Sequence, residues 1–119
     1  PQGLEDLLCG FKASYPNLPP IYITENGMSS ADHLVNGRVD DAQRQSYLQR
    51  HFAAVSRAID AGVDVRGDYI WSLMDNFEWI FGYGHQLGLH SVDRETFVRT
   101  PKPSAGVYAA LARANGVPA

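Results

Sequence analysis

Two short apolar runs, residues 21–24 (IYIT) and 65–74 (VRGDYIWSLM), constrain this chain most, because helical patterns precede, separate and follow them. Residues 3–15 place Leu4, Leu7, Leu8, Phe11 and Tyr15 at three- and four-residue intervals, which predicts one apolar helical face, weakened by Gly10. The prolines of PNLPP end that helix, since proline lacks an amide donor and biases its predecessor toward extended backbone. The β-branched run IYIT then reads as a strand, and the following residues, 26–39, as loop. Asp40 opens a second helix, with Gln43 three residues on as in a capping box. Tyr47, Leu48, Phe52, Val55 and Ile59 form its expected buried stripe, and Gly62 its stop. Beyond the second strand lie an aromatic loop (DNFEWIFGYGHQ) and a hairpin that pairs LGLHSVD with FVRT around DRET. A last helix has Ser104 as its expected cap and Gly116 as its stop.

Strands alternating with helices predict an α/β fold with parallel strands joined by right-handed crossovers. A parallel pair needs neighbours on both edges and cover on both faces, and two strands with three helices leave both edges open. The chain also starts at Pro1 rather than Met. The expectation is therefore the C-terminal part of a larger α/β domain. Composition adds exclusions. A formal net charge of −3 gives no bias toward nucleic acid or an anionic membrane. The single cysteine, Cys9, excludes an internal disulfide and a multi-cysteine metal site, and no stretch approaches a membrane span in length. His33, His51, His85 and His90 lack metal-ligand spacing, and no cofactor motif is present. Arg44, Arg50 and Arg57 read as solvated or ion-paired residues on helix faces.

In α/β barrels, chemistry sits at the C-terminal ends of the strands. Here the first strand ends in Glu25, and the second runs into Trp71 and then the loop with Asp75, Asn76, Glu78 and Trp79. Acids beside tryptophans suit sugar binding, because a pyranose packs its C–H face on an indole while carboxylates accept from its hydroxyls. A glutamate in a partly dry pocket also suits glycoside cleavage, where one carboxylate attacks the anomeric carbon and another donates a proton. Taken alone, a strand-end glutamate is more often a surface residue, and Trp71 more often core. Asp75 and Asn76 read as hydrogen-bonding residues that shape the loop.

The segments YITENG, WSLMDNFEW and GYGHQLGLHSVDRETFVRTPKPSA together resemble the C-terminal part of glycoside hydrolase family 1, the β-glucosidase family, nearly end to end. The resemblance implies part of a (β/α)8 barrel, holding strands seven and eight with their flanking helices and incomplete as a domain. Residues 1–119 would be the C-terminal portion of a single barrel domain. It implies a retaining β-glycosidase, with Glu25 as the nucleophile that forms the covalent glycosyl-enzyme and is kept ionised by a cationic or hydrogen-bonding neighbour. It further implies Trp71 as the platform under the glycone sugar, and Glu78 and Trp79 as partners of its hydroxyls. The substrate would be a β-glucoside or related β-glycoside, with no metal or cofactor. In related 6-phospho-β-glycosidases the position of Glu78 is typically Ser, followed by a Lys and a Tyr that hold the phosphate. A carboxylate there, with no Lys between Asp75 and Val92, favours an unphosphorylated glycone.

Two sites depart from the family pattern. Asp68 replaces a Tyr and should face a polar partner or solvent, since a carboxylate on an interior strand costs several kcal/mol unless paired. Gln86-Leu87 replaces Arg-Phe and loosens one wall of the pocket. The family's acid/base glutamate comes from an Asn-Glu-Pro motif, and neither Asn-Glu nor Glu-Pro occurs here. The chain alone is therefore expected to lack glycosidase activity and to need the remainder of the barrel. A non-catalytic carbohydrate-binding module and a split-barrel piece that needs a complementary chain remain the alternatives.

Overall fold

The computed structural model describes residues 1–36 and 38–117. The elements run α1 (Gln2–Ser14), β1 (Ile21–Asn26), β2 (His33–Val35), β3 (Arg38–Asp40), α2 (Ala42–Asp60), β4 (Val65–Ile70), β5 (His90–Val92), β6 (Arg99–Pro101) and α3 (Pro103–Ala114), with a 3-10 turn at Trp79–Phe81. As expected, β1 and β4 pair in parallel, and β5 and β6 form an antiparallel hairpin. Residues read as loop instead contain a second hairpin, β2–β3. Its strands are too short for a compositional signal, although Asn36-Gly37 is a hairpin dipeptide in the sequence and Asn36 takes φ +52°.

The helices cover one face of the β1–β4 pair. Leu8, Val55, Ala58 and Val63 form one buried cluster with Ile21, Ile23 and Val65 against it. Leu48, Leu89 and Leu111 form another, with Phe52, Ile70 and Tyr108 packed on it. On the opposite face Tyr22 and Tyr69 are exposed, and a Cβ on Gly67 would press on both rings. Leu7, Phe11 and Tyr15 also stay exposed, so of the expected α1 face only Leu8 is fully buried. Among the described residues there is too little protein to cover the rest of that face.

The helix ends correct the sequence reading. Asp41, not Asp40, precedes α2, and Gln43 makes no capping box. The Asp41 carboxylate is instead drawn to the start of α3, where it accepts from the Ser104 amide (3.2 Å) as well as from Arg44 and Gln45. Lys102 is the residue preceding α3 and Pro103 its first position, the place where a missing amide is harmless. Ser104 is buried in the first turn with its Oγ unpartnered. Asn115, in the left-handed region, ends α3 in place of Gly116, whereas Gly62 (φ +88°) closes α2 as expected. Ile59 is exposed, and Arg44 occupies the buried stripe of α2 instead.

That arginine anchors a buried charge network. Arg44 donates to Asp32 (3.0 Å), Asp41 (3.1 Å), the Ser30 hydroxyl (2.8 Å) and the Gln86 carbonyl (2.7 Å). Lys102 Nζ bridges Asp32 (2.6 Å) and Asp75 (2.8 Å), and Asp75 also accepts from the Gly88 amide (2.9 Å). The network fastens the segment after β1 to the loop after β4, and both to the starts of α2 and α3. Burial opposes ionisation of Asp32, but hydrogen bonds from Lys102, Ser30 and Arg44 outweigh it and hold the carboxyl below its ordinary value of 3.8. The stability this contributes is present above that ordinary value and is lost as pH falls through the lower folded-state value. Replacing Lys102 with Met leaves two buried carboxylates without their shared cation. The expected loss is about 3–5 kcal/mol in chemical denaturation. Asp32→Asn should shrink the acid-induced loss of stability below about pH 4, read by denaturation at a series of pH values.

Candidate active site

The end of β1 is irregular. Ile23 pairs with Asp68 and Asn26 with Ile70, so three steps on β1 match two on β4. The extra residue bulges the strand at Thr24-Glu25, a device that re-aims a side chain. Glu25 is exposed there and, with Leu4, Ile23, Asn26, Gly27, Tyr47 and His51, lines a depression of about 290 Å³. Among the described residues no hydrogen bond or ion pair reaches its carboxylate, so the expected ionising partner is not supplied by them.

The residue after it is held on all sides. The Asn26 carbonyl accepts from the Trp71 amide (3.0 Å). Its side-chain oxygen accepts from the Tyr47 hydroxyl (2.8 Å), and its Nδ2 donates to both oxygens of Asp68 (3.1 and 3.0 Å). Asp68 thus has the polar partner expected of it. Burial pushes its carboxyl above 3.8, with the Asn26 hydrogen bond pulling the other way. Ionised Asp68 therefore works against the folded state: its favourable contribution is complete below the ordinary value and lost as pH rises through the folded one. Burial and the Asp68 charge likewise raise the Tyr47 phenol. His51 stacks on Tyr47 at 3.7 Å, and burial lowers its pKa.

Gly27 lies so close to β4 that a Cβ would collide with the Trp71 carbonyl oxygen. Glu25 and Trp71 therefore lie at the same end of the β1–β4 pair. The Trp71–Ser72 peptide is cis. From there the chain is pinned by hydrogen bonds from Ser72 N to Leu87 O and from Leu89 N to Ser72 O. Glu78 and Trp79 sit further along, in a turn closed by Glu78 N to Gly82 O (2.7 Å). Glu78 is half-buried, whereas Trp79 is 82% exposed with φ +46°. Phe77 meets Tyr83 edge-on, and Arg94 stacks on Tyr83 at 4.1 Å and donates to the Asp75 carbonyl, tying this loop to the β5–β6 hairpin. No described hydrogen bond joins Glu78 or Trp79 to Glu25. Asp75 shapes the loop, as expected, by accepting from Gly88 and Lys102.

Sequence reasoning missed Asn26, Tyr47 and the burial of Arg44. The last had a signal, because Arg44 stands four residues before Leu48 on the apolar stripe of α2.

Parallel strands that deliver an acid and an indole from their C-terminal ends, under helices on one face, place the chain among α/β proteins of the barrel type. The model of glycosyl hydrolase family 1 matches residues 1–117. A 6-phospho-beta-galactosidase of Streptococcus equi subsp. zooepidemicus is 48% identical over 112 residues, covering 94% of this chain and 24% of that protein. A β-glucosidase of Micrococcus antarcticus is 49% identical with a TM-score of 0.90, covering 97% of this chain and 25% of the other. A family 1 β-glucosidase of Thermotoga maritima is 39% identical with a TM-score of 0.92, covering 99% and 27%. The chain belongs to glycosyl hydrolase family 1, and its fold is part of the (β/α)8 barrel of these relatives. It spans about a quarter of their length.

The contact at Gly27 yields a direct expectation. Gly27→Ala drives a methyl group into the Trp71 carbonyl and should cost about 1–3 kcal/mol, seen as a lower Tm in thermal unfolding.

Proposed function

We propose that the protein of which this chain forms part is a retaining β-glycosidase acting on unphosphorylated terminal β-D-glycosides, with β-glucosides as its principal substrates. Glu25 attacks the anomeric carbon and carries the covalent glycosyl intermediate. Trp71 lies under the glycone, and Glu78 and Trp79 hydrogen-bond its hydroxyls. The observation that carries this reading is the bulged, exposed Glu25 at the C-terminal end of a parallel strand, fastened through Asn26 and Gly27 beside Trp71. Residues 1–119 are then the C-terminal portion of one barrel domain, with β1 and β4 as strands seven and eight.

Retention needs a second carboxyl group about 5–5.5 Å from the first. The family's Asn-Glu-Pro motif is missing from the sequence, so the acid/base and the partner that ionises Glu25 come from the remainder of the barrel. The isolated chain is inactive for that reason.

One relative in particular favours a phosphorylated substrate, the 6-phospho-beta-galactosidase at 48% identity. The charges argue the other way. Glu78 would repel a phosphate, and neither lysine of the chain is free to hold one. Lys102 is buried between Asp32 and Asp75, and Lys12 donates to the Ala61 carbonyl at the far end of α2.

Reaction of the full-length protein with an activated 2-deoxy-2-fluoro-β-glucoside, followed by peptide mass mapping, should place the sugar on Glu25. Glu25→Gln should abolish turnover of an aryl β-glucoside. Absence of the adduct would favour a carbohydrate-binding module, and turnover confined to 6-phosphoglycosides would overturn the substrate class.

A further inference from the structure

Thr24 and Glu25 lie in the bulge between the register pairs Ile23–Asp68 and Asn26–Ile70, so ladder pairing does not fix the backbone that carries the Glu25 carboxylate. What fixes it is the next residue. Asn26 is only 6% exposed, and three residues grip it at three atoms: the Trp71 amide beyond β4 on its carbonyl, the Tyr47 hydroxyl of α2 on Oδ1, and Asp68 of β4 on Nδ2. Tyr47, Asn26 and Glu25 also line one depression.

We infer that Asp68 and Tyr47 are positioning residues that act through the Asn26 side chain to set the direction of the Glu25 carboxylate. Neither touches the sugar. An asparagine side chain can rotate by exchanging its amide and carbonyl ends. Here the ends are distinguished, because Tyr47 donates to the oxygen while the Asp68 carboxylate, which has only acceptors when ionised, takes the nitrogen. One rotamer of Asn26 satisfies both, and the peptide that links it to Glu25 is held accordingly. Displacing a reacting group by about 1 Å can lower a rate about 100-fold without touching the chemistry. The amide end of the clamp therefore depends on the Asp68 carboxylate.

The inference rests on Glu25 being the nucleophile, and the test separates the two. In the full-length protein, the rate of inactivation by the 2-fluoroglucoside at saturation reports attack by Glu25, and its concentration dependence reports binding. Tyr47→Phe removes one hydroxyl, and Asp68→Leu removes both acceptors while keeping the same branched skeleton, at a larger volume. Each should slow inactivation about 10- to 100-fold, with the inhibitor's dissociation constant changed less than about twofold. Asp68→Asn keeps one acceptor and should be slowed less than Asp68→Leu. The double variant Tyr47→Phe/Asp68→Leu should be slowed by less than the product of the single effects, because both act through Asn26. Should Asp68→Leu fail to fold, Tyr47→Phe and Asp68→Asn carry the same cycle. Inactivation of the folded variants at the unaltered rate, or losses that multiply independently, would overturn the clamp and leave the nucleophile standing. An unaltered protein that labels elsewhere, or not at all, overturns both.

Discussion

The structure depends on a charge network that is almost fully enclosed. Arg44 and Lys102 are each about 1% exposed at the side chain and hold three aspartates between them. Such a network is weak evidence for net stability, because removing these ions from water costs nearly what their attraction returns. Its consequence is specificity. Lys102 can satisfy Asp32 and Asp75 together only when the segment after β1 and the loop after β4 lie side by side. Arg44 satisfies Asp32, Asp41 and the Gln86 carbonyl only when α2 meets both. Any other docking of these segments strands a buried charge.

The candidate site sits on top of this frame. Glu25 projects from a bulge, where pairing is interrupted, and depends on neighbours for its direction. Gly27 lets β1 approach the Trp71 carbonyl, and the Asn26 side chain links β1 to β4 and α2. The two strand ends are thus fastened to each other. The loop carrying Glu78 and Trp79 is coupled to them at one remove, through Asp75, Lys102 and the Arg94–Tyr83 stack. The acid on the strand and the aromatic loop beyond it are separate chemical elements on a shared support.

Much of this was legible in sequence because the signals are local. Glu25, Trp71 and the aromatic loop could be placed on elements from the order of apolar runs and turn residues. Gly62 declared the end of α2, since a left-handed position asks for glycine. The failures share a cause. Asp41 looks like a cap for its own helix, yet its carboxylate is taken by Arg44 and by the Ser104 amide, 63 residues away. Arg44 looks solvated because arginine usually is. Only contact with Asp32 and the Gln86 carbonyl makes its burial tolerable. The polar partner expected for Asp68 exists, but nothing local identified it as Asn26.

The sequence by itself determined the alternation of helices and strands, the parallel pairing, and the acid and indole at the strand ends. Each follows from periodicity, turn chemistry and motifs within a few residues of one another. Tertiary structure alone decided which charges are buried, which helix end Asp41 serves, and how Asn26 is gripped beside Glu25. These are pairings between residues far apart in the chain. Their energies exist only once the backbone has brought the groups within hydrogen-bonding distance and excluded water, so no local pattern can encode them.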